Sequence, residues 1–194
     1  MNLSEFLSLF LPLFVAMDPL GVFPAFVQIT SNLSVKKRGR VLFLSVLTAG
    51  AVGLLFIPLG PLVLSSLGLK NGDFQIAGGL LILLVALRDI VLNQKLFQGR
   101  DLQGMGVVPI GIPLLVGPAV LTTLILLLDR FSFFAVASCL VLNLLIAWAV
   151  FAFSSSLIRW MGVTGSLVVS KLAALLLSAY AVMMIRVGFS SLLK

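Results

Sequence analysis

Long uninterrupted apolar stretches are the feature that most constrains what this chain can fold into. A helix needs about 20 apolar residues to cross a bilayer. The sequence contains six stretches of that order, here called spans 1 to 6, at about 6–29, 41–67, 74–92, 107–128, 133–158 and 170–189. Apolar residues make up 61% of the 194 positions and charged residues 10%, whereas soluble domains have roughly 45–50% and 25%. The sequence therefore predicts an all-α polytopic membrane protein with six transmembrane helices, forming a single transmembrane domain over 1–194.

Missing residue types argue against several chemistries. The chain has no histidine and a single cysteine, Cys139, so it lacks the residues for histidine acid–base catalysis, for His/Cys metal cages and for an internal disulfide. We therefore expect no enzyme, no cofactor and no metal site. The net charge of +7 does not indicate a nucleic-acid partner, because the basic residues lie between apolar spans rather than along one polar stripe.

The basic residues are unevenly divided between the two sides of the predicted membrane protein. One side carries nine of the 13, and these are Lys36, Lys37, Arg38, Arg40, Arg88, Lys95, Arg100, Arg159 and Lys171. The other side carries Lys70, Arg130, Arg186 and Lys194. Because the side richer in Lys and Arg faces the cytoplasm, the sequence predicts a prokaryotic inner membrane protein with both termini outside the cytoplasm. The cluster 36–40 also suits contact with anionic lipids of the bilayer.

A partial duplication relates the two halves of the chain. At an offset of 94 residues, 19–25 lies over 113–119 with five of seven positions identical, and Gly68 lies over Gly162. These matches predict repeat halves of three spans each, at about 1–93 and 106–194, joined by a cytoplasmic loop at about 93–106. Since three is odd, the second half enters the membrane from the opposite side. Such inverted repeats are common in secondary transporters, which bind substrate where the repeats meet.

Proline and glycine interrupt spans 1 and 4 at matched places. Proline removes a backbone donor and clashes with the carbonyl four residues earlier, and an unpaired carbonyl in hydrocarbon costs several kcal/mol. The stretches 18–24 and 112–119 must therefore face the protein interior or a wet cavity, as kinks or as true breaks. In broken helices, free N–H groups suit a carboxylate and free carbonyls suit a cation. A site with both suits a zwitterionic amino acid.

Asp18 is the only acidic residue deep inside a span, about 18 Å of helix rise from the start of span 1. An ionised Asp at that depth costs about 2.5–3.5 kcal/mol on the insertion scale, so its presence needs a reason. One interpretation is local, since Asp as N-cap followed by Pro19 is a standard helix start. The other is ion coupling, with Asp18 binding a proton or Na⁺. Both stay open, because one carboxylate can do both.

Other polar and small residues inside the spans are weaker candidates. Thr122 and Thr123 either donate to a ligand or bond back to their own helical turn. Asn143 suits an interhelical hydrogen bond or a ligand contact. Gly78 and Gly79 indicate close helix packing. The candidate substrate-binding residues are Asp18, Pro19, Gly21, Pro24, Pro113, Gly117, Pro118, Thr122, Thr123 and Asn143.

Three segments together resemble the MarC family, also called SnatA, of six-span inner-membrane proteins. They are MDPLGVFPAF in span 1, FQIAGGLLILLVAL in span 3 and VPIGIPLLVGPAVLTT in span 4, and the similarity runs over nearly the whole chain. Asp18, Pro19, Gly21 and Pro24 fill the family's span 1 motif, while Pro113, Gly117 and Pro118 fill that of span 4. Many relatives have glycine where this chain has Ala119, which leaves less room beside a ligand.

The resemblance implies a secondary transporter of small neutral amino acids such as glycine and alanine, coupled to a proton or Na⁺ gradient. The alternatives are an exporter of other small or antibiotic-like solutes and a non-transporting accessory membrane protein. The absence of a second deep charge favours a small substrate over a large one. A homo-oligomer is compatible with the sequence.

Overall fold

The computed structural model describes residues 2–30, 33–91 and 115–193. All regular secondary structure in these ranges is α-helical, which confirms the predicted fold class. The helices are α1 Leu3–Met17, α2 Pro19–Ile29, α3 Val35–Ser66, α4 Asn71–Val91, α5 Pro118–Leu128, α6 Phe133–Ala152 and α7 Ser154–Leu192. Pro113, Lys95, Arg100 and the predicted loop at 93–106 lie outside the described residues.

Five helical segments are long and apolar enough to cross a membrane. They are Leu3–Pro24, Val35–Ser66, Gly72–Val91, Phe133–Ala152 and Thr164–Leu192, and they match predicted spans 1, 2, 3, 5 and 6. The shorter apolar helix Ala119–Leu128 is the described part of predicted span 4. A polytopic membrane protein is thus confirmed, and the described helices are compatible with six spans.

Two glycines turn the chain at the matched positions of the predicted repeat. Gly68, after α3, has φ 69°, and Gly162, inside α7, has φ 71°. Glycine adopts this left-handed conformation without the steric cost that a side chain brings. Gly162 divides α7 into a short first part and the long membrane-crossing part. The shared conformation agrees with the offset of 94, although the repeat boundaries themselves remain a prediction.

Helices α4 and α7 pack so closely that they leave no room for a side chain at two glycines. A methyl group built on Gly79 would lie 2.9 Å from the carbonyl oxygen of Ala181 in α7, and one built on Gly188 would lie 2.8 Å from that of Gly72 in α4. The predicted packing role of Gly79 is therefore confirmed. Gly78 faces the side chain of Thr122 in α5 instead.

We expect Gly79→Ala to destabilise the protein and Gly39→Ala to leave it unchanged or more stable. The added methyl at Gly79 meets the main chain of α7, which cannot move without separating two helices, whereas nothing lies within 4 Å of a methyl at Gly39 in α3. Alanine in a helix is otherwise favoured over glycine by about 1 kcal/mol. Thermal unfolding of the two variants in detergent measures the difference. An equal or higher unfolding midpoint for Gly79→Ala would contradict the tight α4–α7 contact.

One end of the helix bundle, here called the basic end, holds the described residues of the basic-rich side. The guanidinium of Arg38 in α3 donates to the hydroxyls of Ser154 and Ser155 at the start of α7. The ammonium of Lys171 in α7 donates to main-chain carbonyls in the last turn of α4. These contacts bring the start of α3, the end of α4 and the start of α7 together. Arg38 and Lys171 are thus partly buried and donate hydrogen bonds to other helices, in addition to marking the basic-rich side of the protein.

Candidate functional site

Span 1 is broken at a single residue, Asp18, in the middle of the apolar sequence. Asp18 has φ 47° and ψ 53°, and it is the one non-glycine residue with positive φ in the described ranges. It ends α1, where its N–H donates to the carbonyl of Phe14 at 3.0 Å, and α2 begins at the next residue. A left-handed aspartate costs energy that an ordinary helix residue does not. The sequence was compatible with either a kink or a break in this span, and the structure has a break at Asp18.

The Asp18 carboxylate caps the helix that begins after it. One carboxylate oxygen accepts the main-chain N–H of Gly21 at 3.0 Å, and the side chain is 9% exposed. Pro19 is the first residue of α2, where its missing N–H costs nothing. The local interpretation of Asp18 as an N-cap is therefore confirmed. Its role in ion coupling stays a prediction.

Position 21 requires glycine because the Asp18 carboxylate lies too close to leave room for a side chain. A methyl group built on Gly21 would lie 2.7 Å from the carboxyl carbon of Asp18 and 2.8 Å from the oxygen that accepts the hydrogen bond. Pro24 lies inside α2 rather than in an unwound stretch, and it is buried. Only Asp18 of the stretch 18–24 is therefore non-helical, because its carboxylate supplies the cap from which α2 restarts at once.

The second break lies immediately before α5. Gly117 is extended, with φ −85° and ψ −176°, and Pro118 is the first helical residue. Gly117 has no side chain that could cap the helix, so the N-terminus of α5 lacks the carboxylate that Asp18 provides for α2. The N–H groups of the first turn carry partial positive charge. The described helix of predicted span 4 thus begins at its Gly-Pro motif, and the residues before 115 lie outside the described ranges.

Residues beside the two breaks belong to one buried cluster. Met17 precedes the first break, and Val116 and Val120 flank the second; each is at most 2% exposed. Side chains beside Asp18 and beside Gly117 therefore pack into the same core.

The two threonines of α5 face different neighbours. The Thr123 hydroxyl is 2.8 Å from the carbonyl of Ala119 and 3.1 Å from the Tyr180 hydroxyl of α7, so it bonds back to its own turn and also across helices. Thr122 lies against Gly78 of α4. Both side chains are buried. A ligand role for either remains a prediction.

Asn143 lies near the middle of α6, next in the chain to Leu144, which packs against Gly50 of α3. Its side-chain amide donates to the carbonyl of Cys139 at 2.9 Å, within its own helix rather than between helices. Its side-chain oxygen is fully buried and has no hydrogen-bond partner among the described residues. An acceptor left in this state is available to a donor, so a ligand contact remains a hypothesis.

Sequence reasoning missed two contacts that α7 makes with other helices. Beside the first break, Ser170 of α7 donates its hydroxyl to the carbonyl of Gly21 at 3.1 Å. At the end of α4, the ammonium of Lys171 donates to the carbonyl of Asp89 at 2.8 Å. The sequence does contain two charged residues within apolar spans, Asp89 and Lys171. Both resemble membrane-surface residues as long as the depth of α4 and α7 is unknown.

Two stacked aromatic rings close the core between the Asp18 break and the basic end. Phe26 of α2 and Phe151 of α6 are each 1% exposed, with ring centroids 5.0 Å apart and planes inclined by 14°. The Arg38 guanidinium lies over the Phe26 ring at 5.3 Å. The Arg38, Phe26 and Phe151 side chains thus pack together on the basic-end side of Asp18.

Comparison with known proteins identifies the family. The model of the "MarC family integral membrane protein" group matches residues 3–193, nearly the whole chain. The chain belongs to the MarC family. This MarC protein is 31% identical over 202 residues to the UPF0056 membrane protein BU449 of Buchnera aphidicola, a match that covers 99% of this chain and all of that protein. It is 29% identical to the UPF0056 inner membrane protein YhgN of Escherichia coli, which covers 99% of this chain and all of that protein.

The MarC family membership accounts for the fold and for the motifs. A further relative, a UPF0056 membrane protein of Buchnera aphidicola from Schizaphis graminum, is 34% identical over 147 residues, covering 75% of this chain and 74% of that protein. No solved structure matches this MarC protein. Its membrane location is thus shared with its relatives, and its chemistry has to be argued from the site.

Proposed function

We propose that this MarC protein is a secondary transporter of small neutral amino acids, with glycine and alanine as the first candidates and a proton or Na⁺ gradient as the driving force. The observation that carries the proposal is the helix break at Asp18, a buried carboxylate between two half-helices in the middle of a membrane span. Discontinuous helices of this kind form the substrate and ion sites of many transporters. No chemical step is proposed, so the protein is not an enzyme in this proposal.

The two breaks offer complementary charges to a zwitterion. The N-terminus of α5 has no side-chain cap, and the Ala119 N–H at this positive helix end suits the carboxylate of an amino acid. The Asp18 carboxylate and the free carbonyls that end α1 suit its ammonium group. The small size of Gly117 lets a ligand approach the backbone, while the buried core around the site favours a small substrate over a large antibiotic-like one.

Exchange between the two sides of the membrane requires the ends of the bundle to open alternately. In this structure the stack of Phe26 on Phe151 and the bridge from Arg38 to Ser154 and Ser155 close the basic end. Rocking of one half against the other would separate α2 from α6 and open that end. The direction of net transport then depends on the gradient rather than on the fold.

Uptake by purified protein in liposomes tests this proposal. Radiolabelled glycine, alanine and serine are supplied under an imposed proton gradient, an imposed Na⁺ gradient, both or neither, with protein-free liposomes as the control. We expect gradient-driven accumulation of at least one of the three. Absence of flux for all of them would reject the proposed substrate class and favour the accessory role or a different solute.

The proposed location is the inner membrane, with the basic end in the cytoplasm and both termini outside. We expect Lys37→Cys to be labelled by a membrane-impermeant maleimide only from the cytoplasmic side, and Lys70→Cys only from the opposite side, because both side chains are exposed at opposite ends of α3. The parent chain is the control, since its own Cys139 is buried. The reverse labelling pattern would overturn the orientation.

A further inference from the structure

A short helical segment at 154–161 connects the last two membrane-crossing helices. Before it, α6 ends at Ala152, and after it the membrane-crossing part of α7 begins at Thr164. Gly162, with φ 71°, separates the segment from that second part. Because so few residues join two membrane-crossing helices, 154–161 lies close to the surface of the membrane.

One face of 154–161 packs on the protein, and the other face is exposed. Leu157 and Ile158 pack against the main core. Arg159 and Trp160 lie on the opposite face, where the Trp160 side chain is 85% exposed. Tryptophan is enriched at the headgroup level of bilayers, and amphipathic helices with basic residues on the polar face lie in that interface. The segment therefore has the composition of an interfacial helix.

The segment is tied to the start of α3, which is rich in basic residues. The guanidinium of Arg38 in α3 donates to the hydroxyls of Ser154 and Ser155. Both elements thus belong to the basic end of the bundle. Together they expose four basic side chains there, namely Lys36, Lys37, Arg40 and Arg159.

The acidic residues of the described ranges do not neutralise this positive charge. Glu5, Asp73 and Asp129 lie at the start of α1, the start of α4 and the end of α5, which is the opposite end of the bundle. Asp18 is buried and Asp89 is half-buried. Exposed cations without exposed carboxylates nearby attract an external anion, and at a membrane surface that anion is the headgroup of an acidic lipid.

We propose that 154–161 is an interfacial helix that, together with the start of α3, binds the headgroups of anionic phospholipids. The sequence suggests such contact for the cluster 36–40 alone, and the structure adds Arg159 and Trp160 as a second part of the same surface. The Trp160 ring lies at the headgroup level while the basic side chains attract the lipid phosphates. This inference does not depend on the proposed transport function.

Quenching of Trp160 fluorescence by labelled lipids tests the proposal. The chain has two tryptophans, Trp148 and Trp160, so Trp148→Phe gives a full-length reporter protein in which Trp160 is the only one. The reporter is reconstituted into vesicles of equal amounts of phosphatidylcholine and phosphatidylglycerol, with a nitroxide near the top of the acyl chains of one lipid or of the other. We expect both labelled lipids to quench, with an apparent preference of about fivefold or more for phosphatidylglycerol. Raising NaCl from about 0.1 to 0.5 M should reduce that preference, because salt screens exposed charges.

Substitutions in the reporter locate the basic side chains that attract the lipid. Arg159→Gln should lower the preference for phosphatidylglycerol several-fold, and Lys36→Gln, Lys37→Gln and Arg40→Gln together should lower it as well. Arg130→Gln removes one exposed charge at the opposite end of the bundle. It is the matched control and should leave the preference unchanged.

Three outcomes would overturn the proposal. The first is equal quenching of the reporter by the two labelled lipids. The second is quenching by neither lipid, which would place Trp160 against water or against a protein partner. The third is the same loss of preference in Arg130→Gln as in Arg159→Gln, since the net charge of the chain rather than this surface would then attract the lipid. The salt titration needs no substitution beyond the reporter, so it decides the matter where a glutamine variant does not fold.

Discussion

Asp18→Asn is expected to lose most gradient-driven uptake while keeping the fold. The asparagine oxygen can still accept the N–H of Gly21, which is 3.0 Å from the carboxylate in the parent, and asparagine tolerates the left-handed conformation that Asp18 adopts. Only the charge is removed. A hydrogen bond to a charged group contributes about 1.5–3 kcal/mol, so binding of an ammonium group should weaken by about 10- to 100-fold. Proton binding at this position is lost, because an amide does not take up a proton.

Asp18→Ala is the comparison that separates charge from capping. Alanine removes the charge and the cap, and it also places a poorly suited residue at φ 47°. Loss of an N-cap costs about 1 kcal/mol, and a left-handed non-glycine residue costs about 1–2 kcal/mol. We therefore expect a lower unfolding midpoint for Asp18→Ala but not for Asp18→Asn. Uptake at the parent level in a folded Asp18→Asn variant would reduce Asp18 to a helix cap.

Gly21→Ala is expected to destabilise the protein and abolish uptake, although alanine is normally the better helix former by about 1 kcal/mol. The added methyl would lie 2.7 Å from the carboxyl carbon of Asp18. The carboxylate must then rotate away, so the N–H of Gly21 loses its acceptor inside the membrane protein. An unpaired buried donor costs about 1–3 kcal/mol. Thermal unfolding and liposome uptake of the same preparation measure both effects.

A double-mutant cycle shows whether the carboxylate causes this effect. In the Asp18→Gly background the clash is gone and glycine accepts the left-handed backbone, so Gly21→Ala should become neutral or stabilising. The expected coupling between the two positions is about 1–3 kcal/mol. Equal destabilisation by Gly21→Ala in both backgrounds would contradict the close contact between Gly21 and Asp18. Uptake should be lost in every member of the cycle that lacks the Asp18 charge.

The sequence located the helix break at Asp18 and the start of α5, but not how many residues around Asp18 are non-helical. The Pro and Gly residues mark where α2 and α5 begin, because proline cannot follow a complete helical turn without removing a hydrogen bond. They do not show that Asp18 alone would be non-helical, since Pro19 to Pro24 were equally compatible with an unwound segment. In the structure α2 begins directly at Pro19, because the Asp18 carboxylate accepts the N–H of Gly21 and so caps the helix. Pro113, the matching residue in the second half, lies outside the described residues.

The contacts of α7 with α2 and α4 could not be predicted from one sequence. Ser170 meets Gly21 and Lys171 meets Asp89, although these pairs are 149 and 82 positions apart in the chain, and their depth depends on how the helices pack. That packing rests on the close approach at Gly79 and Gly188, which sets the register between the two helices. Lys171 therefore looked like a topology signal, and Asp89 like the partner of Arg88 at the membrane surface.

The amino-acid sequence by itself determined that this is a helical membrane protein and which segments were candidates for interruption. Apolar stretches of bilayer length have no other stable fold in lipid, and proline removes a hydrogen bond when it stands in the interior of a helix. The tertiary structure alone decided which side chains meet at the interruption. Contacts between helices distant in the chain depend on register, and register is fixed by side-chain and backbone packing that no local pattern records.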